Sequence, residues 1–227
     1  MKYLLILLLV VASKAAWSQS KLLDAKSDTS FWFRLKQHDA ERLGLSDLTK
    51  ASDSLHFRYW MENQAVDIWT NDYVTFYGNI SNHTETVQNN QKSSRSVKAP
   101  KFYSNKTALT PAQAKEIFKL FDQVHLFQIP SDKNIKGWVQ GFDGEELLFE
   151  FSTRQVYSFT TYWTPSAQKD IPEADTLSKL NQELRSLLNL NASWNTFLSG
   201  LPVGCYRYGE MVTECTMRKS RHKKQVK

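Results

Sequence analysis

The chain has 227 residues, of which 41% are hydrophobic and 13% aromatic, so it is long enough and apolar enough to bury a sizeable core. Its formal net charge is +6, but eight of its 29 basic residues lie in residues 1–18 and 218–227, which contain no acid. The remaining 21 bases face 23 acids, and this balance excludes a strongly basic nucleic-acid-binding domain.

The first eighteen residues have the three parts of a secretory signal peptide. Lys2 supplies a positive charge, residues 4–12 are an unbroken apolar run, and Ala16 and Ser18 occupy the −3 and −1 positions of a cleavage site before Gln19. Nine apolar residues are too few to span a bilayer. The sequence therefore predicts an exported protein, periplasmic or extracellular, whose mature chain begins at Gln19.

The mature chain divides by composition into a body and a tail. We expect residues 19–217 to form a single α+β domain and residues 218–227 to form a basic disordered tail. This tail either contacts an anionic surface or remains solvated. Three strands followed by a helix recur in the body, so two tandem sub-units, 30–128 and 129–217, are an alternative to ordinary α+β folding.

The first half of the body is predicted to be an antiparallel meander followed by a helix. Apolar residues alternate with other residues in segments 31–37, 55–61, 65–70 and 73–80, as they do in half-buried strands. Residues 79–107 are polar and irregular and predict a loop that is mobile from 87 to 101. Thr110 and Gln113 then form a capping box for a helix that buries Ala114, Ile117, Phe118, Phe121 and Val124.

The second half is predicted to repeat this order of elements. Asp143-Gly144 indicates a hairpin between residues 138–145 and the next strand, and residues 155–163 form a third strand. A helix follows from about Glu173 to Leu188, with an apolar stripe that includes Leu187. Residues 194–199 form a short helix that ends at Gly200.

The two cysteines, Cys205 and Cys215, are predicted to form a disulfide. Two thiols in an oxidising compartment usually pair. The sequence between them is typical of a hairpin that turns near residues 209–211. In that register Cys205 lies opposite Cys215, Arg207 opposite Thr213 and Tyr208 opposite Val212, so the disulfide crosses a non-hydrogen-bonded pair.

No segment has the spacing of a catalytic, metal or cofactor site. The five histidines are at least eighteen residues apart. Ser166 and Lys169 match a Ser-x-x-Lys pattern, but the accompanying motifs of the enzymes that use it are missing. Glu146 and Glu150 would lie about 13 Å apart along a strand, too far for a glycosidase pair, and are expected on a solvated face. We predict no catalytic residue, no metal ligand and no cofactor.

One face of the first meander is a candidate ligand-binding surface. Flat aromatic rings beside a few charged groups suit a sugar or a protein ligand, because the rings bury area while their polar tips stay hydrated. The alternative is that another layer, formed by residues 31–37, covers this face and makes the aromatic side chains part of the core. The candidate residues are Arg58, Trp60, Asp67, Trp69, Tyr73 and Tyr77.

Three classes of function remain open from the sequence. The first is a noncatalytic binding protein of the cell envelope or exterior, with a carbohydrate or an envelope protein as its partner. The second is a secreted hydrolase whose active-site residues come from separated segments. The third is a structural or assembly factor of the envelope. We favour the first, because export signals and abundant aromatic residues are present without catalytic spacing.

Overall fold

The structure is a computed structural model that describes residues 21–25, 27–28, 31–87, 99–209 and 212–216. The predicted signal peptide, most of the predicted mobile loop and the basic tail lie outside the described residues. The described strands are β1 Leu22–Leu23, β2 Leu55–Met61, β3 Gln64–Thr70, β4 Tyr77–Glu85, β5 Phe102–Ala108, β6 Glu146–Ser152, β7 Val156–Trp163, β8 Gly204–Tyr208 and β9 Val212–Thr216. The described α-helices are α1 Phe31–Arg42, α2 Pro111–Gln123, α3 Pro172–Leu187 and α4 Leu190–Ser199.

Seven of the described strands form one sheet in the order β1-β7-β6-β2-β3-β4-β5. Every neighbouring pair is antiparallel except β1 with β7, which is parallel. The two predicted groups of strands meet in the β2–β6 pair and so belong to one continuous sheet. The predicted α+β class is confirmed.

One face of the sheet, here called the helix face, packs against α2 and α3. The predicted inward-facing residues of β2 and β3 are buried there, because alternate side chains of a strand point to the same side. Val74 belongs to the predicted strand 73–80, but it is exposed, since it lies in the loop between β3 and β4. The other apolar residues expected on this face are buried in the core: Leu55, Phe57, Tyr59, Val66, Ile68 and Phe76.

The helices begin and end close to the predicted residues. Thr110 and Gln113 form the capping box at the start of α2, as the sequence predicts. In α3, Leu184 is buried, but Leu187 is partly exposed and the buried position at the helix end is Leu188. The last helix begins at Leu190, earlier than predicted.

The opposite face, here called the network face, is covered by α1. Residues 31–37 were predicted as a strand, but they form the first two turns of this helix. Phe33, Lys36 and Ala40 are spaced three and four residues apart, as on one side of a helix, and they lie against the sheet. A window of seven residues is too short to distinguish this helical period from strand alternation. Phe33 makes edge-to-face contacts with Tyr157 and Phe159 of β7, with ring centroids 6.1 and 5.6 Å apart.

Two other segments differ from the prediction. Most of β4 and all but the last residue of β5 lie within the predicted polar loop. Amide side chains bond across the strands there, as between Gln64 and Asn82. Residues 138–145 form no strand. The Gln168 side chain bonds the backbone of Val139 in this segment. Its amide oxygen accepts from the Val139 N–H, and its amide nitrogen donates to the Val139 carbonyl. Gly141 lies so close to the Trp163 ring that any Cβ would overlap it.

The C-terminal hairpin matches the predicted register. Cys205 pairs with Cys215 at a Cα–Cα distance of 4.0 Å, and the two are joined by a disulfide. The turn begins at Gly209, whose φ of 57° is the left-handed conformation that glycine adopts readily. A disulfide of this kind is typical of proteins in an oxidising, exported environment.

Candidate functional site

The structure divides the six candidate residues into two groups. Arg58, Trp60 and Asp67 are almost completely buried beneath α1 and the loop that follows it. Trp69 is half-buried, whereas Tyr73 and Tyr77 keep 57% and 48% of their surface exposed. A ligand can therefore contact only the second group without displacing the helix.

Arg58 is the centre of a buried network of charged and polar groups. Its Nε donates to Asp67 Oδ1 at 2.7 Å, and its Nη1 to Glu150 Oε1 at 3.3 Å. Its Nη2 donates to the carbonyl of Ser46 at 2.9 Å, which fastens the loop after α1 to the sheet. The strand register explains the cluster, because Arg58 lies opposite both Asp67 on β3 and Glu150 on β6.

Three further donors complete the network around Glu150. Trp60 Nε1 donates to Oε1 at 2.7 Å, and the Tyr157 hydroxyl donates to Oε2 at 2.7 Å. Gln37 of α1 donates to Oε2 at 3.2 Å. The expectation that Glu150 lies on a solvated face is wrong, because α1 covers that face and the side chain is fully buried.

His56 extends the network toward the end of the sheet. Its Nε2 lies 3.1 Å from Asp67 Oδ1 and its Nδ1 lies 3.0 Å from Asp53 Oδ2. Burial alone would lower the pKa of His56, but the hydrogen bonds to Asp53 and Asp67 raise it above its ordinary value. Both ring nitrogens face carboxylates, which favours the protonated imidazole and makes His56 a poor general base.

Trp69 and Tyr77 form the exposed part of the network face. They lie directly opposite each other on β3 and β4, and their rings are stacked with centroids 5.9 Å apart and planes at 22°. The buried His56 ring supports Trp69 from the neighbouring strand, with centroids 5.6 Å apart. The Trp69 ring is thus held between His56 of the charged network and Tyr77.

Tyr73 stands in the loop beside these two rings, in a fixed conformation. Its φ is 59°, an unusual value for a residue with a side chain. The loop is held by Asp72, whose Oδ1 accepts from the backbone N–H groups of Val74 at 2.9 Å and Thr75 at 2.8 Å. These bonds lower the pKa of Asp72 to about 2. The Tyr73 hydroxyl donates to the carbonyl of Ser54 at 3.0 Å, which holds the ring near the start of β2.

We call Trp69, Tyr73 and Tyr77 the aromatic strip. It is the part of the predicted surface that solvent reaches, and its rings are ordered before any ligand arrives. A site of this kind binds with little loss of conformational entropy, because its side chains are already held in place. The sequence missed the supporting residues Asp53 and His56, which become neighbours only through the pairing of β2 with β3.

Glu146 is a second titratable group whose surroundings the sequence did not predict. Burial, together with the nearby carboxylates of Asp132 and Asp28, raises the pKa of Glu146 to about 7, against the lowering effect of a hydrogen bond from Trp32. Its Oε2 is buried without a hydrogen-bond partner among the described residues. Ionised Glu146 is therefore unfavourable in the folded protein.

We expect Glu146→Gln to stabilise the protein at pH 8 but not at pH 5. The folded-state pKa of about 7 lies above the ordinary 4.5, so this group's contribution to stability is full below pH 4.5 and is lost as the pH rises through 7. After allowance for partial exposure, the gain at pH 8 is about 1–2 kcal/mol. Urea unfolding at both pH values measures it. The exposed Glu183→Gln is the control, and an equal gain at both pH values would contradict the assignment.

Two absences apply to the part of the chain that the structure describes. No group of three or more histidine, cysteine, aspartate or glutamate side chains there is placed to hold a metal ion. No helix there is long and apolar enough to cross a membrane.

Comparison of the chain with models of protein families, with curated proteins and with solved structures gives no match.

Proposed function

We propose that this protein is a noncatalytic binding protein of the periplasm or cell exterior that binds a carbohydrate on the aromatic strip. The observation that carries the proposal is the stacked Trp69–Tyr77 pair, in which Tyr77 is exposed and the half-buried Trp69 also contacts His56 on the neighbouring strand. The disulfide agrees with an exported protein.

The chemistry of the strip favours a sugar. The C–H groups of a sugar ring carry a small positive charge and pack against the negative face of an aromatic ring. Hydroxyl and amide groups beside the rings bond the sugar hydroxyls. Asn71 follows Trp69 by two residues, just past the end of β3, and Asn79 follows Tyr77 by two residues on β4. Flat rings with polar groups at their margins bind such a ligand without a deep pocket.

The strip carries no group suited to hydrolysis. His56, which contacts Trp69 from the neighbouring strand, is buried and has both nitrogens engaged by carboxylates. Glu146 has a raised pKa that suits an acid catalyst, but it is distant from His56. His56 pairs with Ser152 at one end of β6, and Glu146 is at the other end of that strand. A binding function therefore fits the geometry better than the hydrolase that the sequence left open.

The test is calorimetric titration of the protein with a panel of hexasaccharides, in neutral and acidic forms. We expect at least one member to bind, and Trp69→Ala to weaken that binding at least about tenfold, since the loss of a central aromatic contact removes 1.4 kcal/mol or more. Tyr77→Ala should have a similar effect.

Phe142→Ala is the matched control. Phe142 is a fully exposed aromatic side chain near Trp163, at the opposite end of the sheet from Trp69. Its loss should leave binding unchanged. The proposal fails if no hexasaccharide binds. It also fails if Trp69→Ala binds the sugar as tightly as the native protein, whatever the result for Phe142→Ala.

A further inference from the structure

A cleft of about 620 Å³ lies at the end of the sheet next to the aromatic strip. Its walls come from segment 49–52 after α1, from the end of β3, from the turn between β6 and β7 and from Lys21. No carboxylate is among the described residues that line it. They are Lys21, Thr49, Lys50, Ala51, Ser52, Asn71 and Arg154.

The three cations of the cleft differ in how firmly they are held. Lys21 donates to the carbonyl of Leu48 at 2.9 Å and to Ser152, so its position is fixed by the sheet. Lys50 forms an ion pair with Asp47 at 2.8 Å. Arg154 is exposed, and its guanidinium has no hydrogen-bond or ion-pair partner among the described residues. Its five donors are available to a ligand.

The surroundings of Lys21 act on its charge in opposite directions. Burial lowers the pKa of Lys21, and the nearby carboxylates of Asp53 and Asp47 oppose that shift. Asp53 is itself bonded to His56, and Asp47 to Lys50. Arg154 is therefore the cation of the cleft that no carboxylate among the described residues neutralises.

The cleft and the aromatic strip meet just after the end of β3. Asn71 lines the cleft, and it stands between Trp69 and Tyr73 in the chain. The Ser54 hydroxyl donates to the Asn71 carbonyl at 2.7 Å, and the Tyr73 hydroxyl donates to the Ser54 carbonyl, so this junction is ordered. A chain-like ligand lying on the rings would extend directly into the cleft.

We infer that the ligand is an acidic carbohydrate, whose carboxylate or sulfate group enters the cleft while its sugar rings lie on the aromatic strip. This inference rests on the proposed function and adds the ligand's charge to it. Arg154 binds the anionic group through its guanidinium fork, which matches the planar geometry of a carboxylate or the oxygens of a sulfate. Lys50 and the hydroxyls of Thr49 and Ser52 complete the cradle.

The experiment compares charged and uncharged forms of the same sugar. A hexamer of galacturonic acid is titrated beside its fully methyl-esterified form, and a sulfated galactan hexamer (carrageenan), which has no carboxylate, beside its desulfated form. In at least one pair the charged form should bind about tenfold more tightly, a difference of 1.4 kcal/mol. This preference should decrease as the salt concentration rises, because the cleft is open to solvent. The pair that shows it distinguishes a carboxylate from a sulfate ligand.

Two double variants complete the test. Arg154→Gln with Lys50→Gln should remove the preference for the charged form and leave binding of the uncharged form within about threefold of native. Lys115→Gln with Lys119→Gln removes the same charge from the exposed side of α2, on the other face of the sheet, and should preserve the preference.

The two proposals fail in different ways. If binding depends on Trp69 but the charged and uncharged forms bind equally, or if the cleft variant keeps the preference, the inference about charge is wrong and the carbohydrate-binding proposal stands. If no hexamer binds, both are wrong.

Discussion

Arg58→Met should lower the free energy of unfolding by about 3–5 kcal/mol, because it leaves Asp67 and Glu150 buried without their shared cation. The Oδ2 atom of Asp67 is already buried without a hydrogen-bond partner among the described residues. No bond to Oδ2 therefore offsets the loss of the Arg58 hydrogen bond to Oδ1. The variant also releases the loop after α1, which Arg58 holds through Ser46. Chemical denaturation at pH 7 measures the loss.

Arg34→Met is the matched control for this variant. Arg34 lies on the exposed side of α1, and the loss of an exposed charge changes stability by less than about 0.5 kcal/mol. A loss below about 1 kcal/mol for Arg58→Met would show that the buried network contributes little and that α1 is held by its apolar contacts alone.

Trp60→Ala should lower the free energy of unfolding by about 3–5 kcal/mol, the usual range for a buried tryptophan. Its side chain is 0% exposed, and its ring lies between the cations of Lys36, 5.2 Å away, and Arg58, 5.5 Å away. Its indole N–H also donates to Glu150, which would lose this bond. Thermal and urea unfolding both report the change.

Trp69→Ala is the informative comparison, because the sequence placed both tryptophans on one candidate surface. Trp69 is half-buried and donates no hydrogen bond to the described residues, so we expect its loss to change stability by about 1 kcal/mol. Similar losses for the two variants would mean that the boundary between the buried network and the aromatic strip is misplaced.

The sequence predicted the helix face well because its signals are local. Strand alternation placed Phe57 and Ile68 in the core, and the capping box at Thr110 marked the start of α2. The hairpin register followed from the spacing of Cys205 and Cys215. Each of these patterns depends on residues within about ten positions of one another, where side-chain periodicity and turn chemistry act.

The network face could not be predicted in the same way, because its partners are distant in the chain. Arg58 and Glu150 are 92 residues apart and meet only through the β2–β6 pair. Residues 31–37 alternate like a strand but belong to a helix. That helix covers three of the six candidate residues, Arg58, Trp60 and Asp67. The cleft joins Lys21, Lys50 and Arg154 from three segments, and none of them has a distinguishing local pattern.

The most direct test of the aromatic strip as a binding site is the mapping of a bound hexasaccharide by nuclear magnetic resonance. Amide spectra of ¹⁵N-labelled protein are recorded as the tightest member of the panel is added. We predict the largest shifts at residues 69–79 and at the indole N–H of Trp69, with smaller ones at residues 49–52. Shifts concentrated elsewhere, for example around Phe142, with the Trp69 signals unmoved, would contradict the account.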